Sequence, residues 1–273
     1  MGTLSRLGFL ALLVASSTVA LADPRPFTFT YDTYPEGKGN WEYEQWVTFQ
    51  HRTDEDPSFT SYNFRHEFEY GVADNFDLAF YVPTWRYERT DDHQGAKFDS
   101  VGVEGIVYLT NPVTDPVGLG LYGEINVGED ELEFEYKLLV HKDIGNWTLA
   151  YNLILETEVE GVFKRESADS DEPGGSTGED VSEAEGTETE GVLGHAFGAS
   201  YSVTKNLRVG GEALIESIYP NWSEYEDTVY YAGPAVNYSS GGNWWVTGTA
   251  LFQISSVDGE PDFQFRLVAG WEF

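Results

Sequence analysis

The chain has 273 residues, of which 15% are aromatic and none is cysteine, and its 47 acidic and 15 basic side chains give a formal net charge of −32. The absence of cysteine excludes disulfides, zinc thiolates and thiol catalysis. The charge excludes nucleic acid as a partner, because phosphate binding needs clustered Lys and Arg; it fits either solubility or a direct role in binding cations.

Residues 1–22 read as a removable export signal: Arg6, then the apolar run Leu7 to Ala15, then Ala20-Leu21-Ala22 as a small-x-small cleavage site before Asp23. The next segment, 23–38 (DPRPFTFTYDTYPEGK), is expected either to plug the interior of the fold or to hang as a periplasmic tail. Beyond the signal no apolar run approaches the ~20 residues of a helical span.

From Trp41 onward the pattern has period two, the signature of strands with one apolar face. Trp41, Tyr43, Val47 and Phe49 interleave with Glu42, Glu44 and Thr48. Tyr62, Phe64, His66, Phe68 and Tyr70 interleave with Arg65, Glu67 and Glu69, and Leu78, Phe80 and Val82 follow a turn. Val101 to Leu109 surround Glu104, and Leu119 to Val127 surround Glu124. Leu132 to Val140 alternate with Glu133, Glu135 and Lys137, and Trp147 to Leu155 with Asn152 and Glu156. Leu193 to Tyr201 and Leu207 to Ile215 continue the pattern, the latter around Arg208, Glu212 and Glu216. Residues 228–238, weakened by Pro234, then 244–254, then Phe263 to Phe273 complete it.

Short connections (71–75, 110–116, 142–146, 203–206, 239–242) alternate with longer ones (51–58, 88–97, 158–190, 218–227, 255–261), apart from 128–131. The pattern predicts an all-β fold over 39–273: a single antiparallel up-and-down transmembrane β-barrel of about 12 strands, within 10–14. The loop at 158–190, rich in Gly, Ser, Asp and Glu, is expected to be disordered and extracellular. A soluble β-sandwich also alternates. It fits less well with glutamates inside strand after strand and with aromatics gathered at strand ends.

The last strand, with Phe265, Leu267, Ala269, Trp271 and Phe273 on one face, resembles the C-terminal assembly signal of outer-membrane barrels. That resemblance implies recognition by the outer-membrane assembly machinery, a lipid-embedded barrel and a place in a bacterial outer membrane. The hairpin Glu67 to Leu78, whose turn grammar returns at Val203 to Gly210, is similar to hairpins of the MetA-pathway phenol-degradation and related porin-like families. It implies a barrel with a loosely defined transport role and carries no substrate with it.

With apolar faces toward lipid, the lumen side carries Glu42, Glu44, Glu67, Glu69, Asp77, Glu104, Glu124, Glu133, Glu135, Glu156, Glu212 and Glu216, against Arg65, Lys137, Arg208 and Arg266. Arg65 is expected to pair with Glu67, two residues on, and Lys137 with Glu135. Carboxylates this dense need water, cations or bases beside them, and their field favours cations. The expected function is a narrow porin-like channel for small polar or cationic solutes, obstructed by Trp46, Tyr81, Trp85 or Trp245. The alternatives are a closed structural or surface-binding barrel and a barrel-embedded lipid hydrolase. For the hydrolase there is neither a G-x-S-x-G motif nor a His-x-Ser pair. No metal-ligand spacing occurs, and no cofactor is expected.

Overall fold

The computed structural model describes residues 25–163 and 187–273. The export signal at 1–22 and most of the acidic loop at 158–190 lie outside the described residues. The strands are β1 (Trp41–His51), β2 (Thr60–Ala73), β3 (Phe76–Arg89), β4 (Gln94–Phe98), β5 (Ser100–Thr110), β6 (Gly118–Gly128), β7 (Glu131–Ile144), β8 (Trp147–Glu160), β9 (Glu188–Ser202), β10 (Leu207–Tyr219), β11 (Asp227–Ser239), β12 (Trp244–Gln253) and β13 (Phe263–Glu272).

All pairings are antiparallel, and β1 pairs with both β2 and β13 while β2 pairs with β3. Twelve strands therefore close into a ring, and β4 stays outside it, hairpinned on the outer end of β3 from Trp85↔Phe98 to Arg89↔Gln94. Closure leaves no strand edge to face lipid, where an unpaired N–H or C=O is costly. Pro234 sits in β11 where the ladder to β12 lapses between Ala232 and Ala235, so its missing donor goes unused.

Strand residues alternate between two environments. In β6, Tyr122, Glu124 and Asn126 are buried inside the ring, while Leu121 and Ile125 are 49% and 41% exposed outside it. Two aromatic belts circle the outer face, as expected at the two membrane interfaces. At the short-turn end stand Trp41–Tyr70 (4.5 Å), Trp147–Tyr201 (5.1 Å) and Tyr238–Trp244 (5.7 Å). At the long-loop end stand Phe49–Tyr62 (4.9 Å), Phe252–Phe263 (5.1 Å) and Tyr219–Trp222 (5.6 Å).

One expected lumen obstruction is overturned. Trp46, Tyr81 and Trp245 are buried inside, but Trp85 points outward and is 50% exposed. A bulge opposite Arg65, between the pairs His66↔Val82 and Phe64↔Trp85, inserts an extra residue into β3. The insertion reverses the alternation, so Thr84 turns inward and Trp85 outward.

Leu138 of β7 faces outward beside its partner Leu121 of β6. Leu138→Arg should destabilise the barrel by about 2–4 kcal/mol if that site lies deep in the bilayer. Unfolding by denaturant in lipid vesicles measures this, and a change near zero would contradict the membrane orientation.

Candidate functional site

The inner wall is charged along lines of cross-strand partners. One line runs Glu272–Glu42–Glu69–Ala79–Glu104–Glu124–Glu135–Glu156, crossing β13, β1, β2, β3, β5, β6, β7 and β8. Barrel strands tilt, so this line climbs the wall from the short-turn end toward the long-loop end. A neighbouring line carries Glu44, Glu67, Tyr81, Gly102, Asn126, Glu133, Glu158 and Glu190. Like charges opposite one another repel, so the lines require bases, donors, water or cations beside them.

The bases sit where the lines are densest. Arg65 reaches Glu124 at 3.4 Å and lies over the Tyr81 ring at 4.2 Å. Lys137 bonds Glu135 at 2.7 Å and lies over Tyr122 at 4.1 Å. Tyr81 donates to Glu104 and has its hydroxyl oxygen 3.1 Å from Glu124, to which Tyr122 and Asn126 donate. The expected Arg65–Glu67 pair is absent, and both Glu67 oxygens are buried without a hydrogen-bond partner. The long Arg65 side chain reaches Glu124, on another strand, instead.

Across from the acidic lines, the interior holds a stretch of chain that belongs to no strand. Residues 25–36 run inside the ring, with Phe27, Thr28 and Thr30 fully buried. Such a stretch needs acceptors for its N–H groups, and side chains of the wall supply them. Glu212 Oε1 accepts the Thr28 N–H at 2.8 Å, and Oε2 accepts those of Phe29 and Thr30 at 2.8 Å each. Thr249 adds a hydroxyl to Glu212 at 2.6 Å. Asn152 brackets Tyr31, accepting its N–H at 2.6 Å and donating to its carbonyl at 2.9 Å. Asp77 accepts the Glu36 N–H at 2.9 Å, and Arg266 donates to the Thr28 carbonyl at 3.2 Å. Thr247 and Asn237 hold the Arg25 carbonyl at 2.5 and 3.1 Å. Gly198 leaves room for the plug, since a Cβ there would stand 2.8 Å from the Phe27 ring.

The segment also brings its own base. Arg25 pairs with Glu44 at 3.2 Å and stacks over Tyr31 at 3.8 Å and Trp46 at 4.7 Å. Together with Arg266 over Phe29 at 4.1 Å, it packs cations against the aromatic floor. Above that floor of Phe29, Tyr31 and Trp46 opens a cavity of about 640 Å³, which reaches Glu131, Glu158 and Glu160 at the long-loop end. Below it lies a cavity of about 40 Å³ lined by Arg25, Tyr31, Glu36, Glu42 and Glu69 among others. The inner segment is the partition between them. At the upper mouth, burial pushes the Glu260 carboxyl above its ordinary range, and the Tyr231 hydroxyl at 3.2 Å pulls it partly back.

The residues singled out in the sequence thus divide. Glu104, Glu124, Glu135, Lys137 and Arg65 form the central charge cluster, with Glu67 and Glu69 buried beside it. Glu44, Asp77, Glu212 and Arg266 hold the inner segment. Glu156 and Glu216 line the upper cavity. Arg208 stands apart at the short-turn end, bonded to Thr148 and Ser200. Leu267 and Trp271 are exposed on the outer face of β13 and Phe273 is exposed just beyond its end, with Trp271 6.2 Å from Tyr43. Sequence reasoning placed Asn152 on the polar phase without giving it a role, and missed Asn237, Thr247, Thr249 and His141, all inward polar positions, because its lumen set held only charged residues.

Residues 19–266 match the model of a family of unknown function, DUF6662. The chain belongs to that family. No curated protein matches the DUF6662 member described here. Its fold is similar to the COG4313 outer membrane channel from Pseudomonas putida F1, with a TM-score of 0.62 at 11% identity over 90% of this chain and 100% of that one. It is also similar to the NanC porin, with a TM-score of 0.54 at 8% identity over 83% of this chain and 98% of that one. At such identities the likeness concerns the fold alone, which is that of outer-membrane β-barrels.

Glu212→Ala would strand three buried N–H groups, each costing about 1–3 kcal/mol. Denaturant unfolding should show a loss of at least about 3 kcal/mol, with Glu212→Gln intermediate. A loss below about 1 kcal/mol would contradict the role given to Glu212.

Proposed function

We propose that the protein is a bacterial outer-membrane channel whose acidic lumen favours small polar or cationic solutes and whose resting state is closed by its own inner segment. The observation that carries this reading is the large acidic cavity, which ends on the aromatic floor made by Phe29, Tyr31 and Trp46. A lumen of this charge concentrates cations and repels anions. The segment beneath it is tied by side chains rather than by a strand ladder, so it can leave without breaking the ring.

In this reading the short turns face the periplasm and the long loops face outward, the common arrangement for bacterial barrels. Residues 1–22 direct export, and the outer face of β13 addresses the assembly machinery. A second reading, a barrel permanently closed and used structurally, is favoured by the number of bonds that Glu212, Asn152 and Asp77 make to the segment.

Single-channel recording in planar bilayers under a salt gradient separates the two. Deleting 25–36 should convert rare or small openings into a steady cation-selective conductance. Replacing Glu104 and Glu124 together with Gln in that variant should lower the cation preference. A deletion variant that folds and inserts but does not conduct would favour the structural reading, and unchanged selectivity would contradict an acidic conducting path.

A further inference from the structure

Glu36, Glu42 and Glu272 each offer a carboxylate oxygen within 4.8 Å of the others. The three come from different parts of the fold: the exit of the inner segment, the first residues of β1 and the end of β13. Glu42 is only 2% exposed, and while its Oε1 accepts the Trp245 indole N–H at 2.9 Å, its Oε2 is buried with no partner. A buried carboxylate oxygen left without a donor is costly unless something positive meets it. The cavity beside it is lined by Asp32, Glu36, Glu42, Glu44 and Glu69, with Arg25 as its one base, and Arg25 is already engaged by Glu44.

From this geometry we propose that Glu36, Glu42 and Glu272 bind a hard divalent cation of the Ca²⁺ type, which latches the inner segment to the seam where the first and last strands close. An all-oxygen, strongly anionic ligand set suits such an ion. The spacing also fits, because oxygens about 2.4 Å from a Ca²⁺ ion lie at most about 4.8 Å apart, with water filling the remaining positions. The bound ion neutralises the lower end of the carboxylate line and ties Glu36 to β1 and β13. Among the described residues a second carboxylate triad, Glu131, Glu158 and Glu160, sits at the opposite end of the barrel on two adjacent strands; it has no buried oxygen left without a partner and serves as an internal control.

Trp245 makes the site addressable by light. Its indole touches Glu42, so Tb³⁺ in place of Ca²⁺ should luminesce when tryptophan is excited in the refolded, chelator-treated barrel in detergent. We expect saturable sensitised emission that Ca²⁺ displaces. Glu272→Gln should weaken binding roughly tenfold or more, since affinity follows ligand charge count. Glu42→Gln should do the same, and Glu158→Gln should leave binding unchanged. Trp245→Phe should dim the emission while calorimetric Ca²⁺ binding persists. Glu272 lies at a strand end, so its variant keeps the test alive if Glu42→Gln fails to fold. No saturable Ca²⁺ binding, or equal binding by wild type and Glu272→Gln, would overturn the latch. The readout involves no conductance, so it succeeds or fails independently of the channel reading.

Discussion

Three consecutive backbone N–H groups, those of Thr28, Phe29 and Thr30, end on the single carboxylate of Glu212. A chain segment inside a closed barrel has no sheet edge to join, because the wall strands already use their own hydrogen bonds. It can be ordered there only if inward side chains act as its ladder. Glu212, Asn152 and Asp77 do so, and the position of the segment then decides the rest of the interior. Phe29 and Tyr31 form one floor with Trp46, Arg25 reaches Glu44, and the lumen divides into a large upper cavity and a small lower one.

The wall is correspondingly two-sided. From β13 through β8 it carries two lines of glutamates. From β9 through β12, apart from Glu190, Arg208, Glu212 and Glu216, it is mostly small or neutral, with Gly198, Ser200, Asn237, Thr247 and Thr249 facing the segment. Bases are spent where carboxylates crowd closest, around Glu124, and are scarce at the short-turn end. This imbalance underlies the proposed preference for cations. The similar barrels of known structure share the ring and, at 11% and 8% identity, carry no argument about these particular side chains.

Period-two alternation and the rhythm of short and long connections were enough to read the ring of twelve strands from the sequence, because register in a one-sided strand leaves each residue two choices. The same rule sorted Glu104, Glu124 and Glu212 onto the polar phase. It failed at Trp85, where a bulge adds one residue and flips the phase without a composition signal. It also failed for Arg65, because a long side chain chooses among carboxylates on several strands, and sequence spacing knows only its own strand. The partners of residues 25–36 were beyond reach for the same reason: Thr28 meets Glu212 across a separation of 184 residues. From its sequence, the segment 23–38 left plug and tail equally open.

Hydrogen exchange of the Thr28, Phe29 and Thr30 amides in the intact, lipid-embedded protein tests the account most directly. These amides belong to no strand, yet the account predicts protection comparable to that of the β10 ladder. Exchange as fast as in the exposed 91–93 turn would mean that Glu212 does not hold the segment, and the closed, partitioned lumen would fall with it.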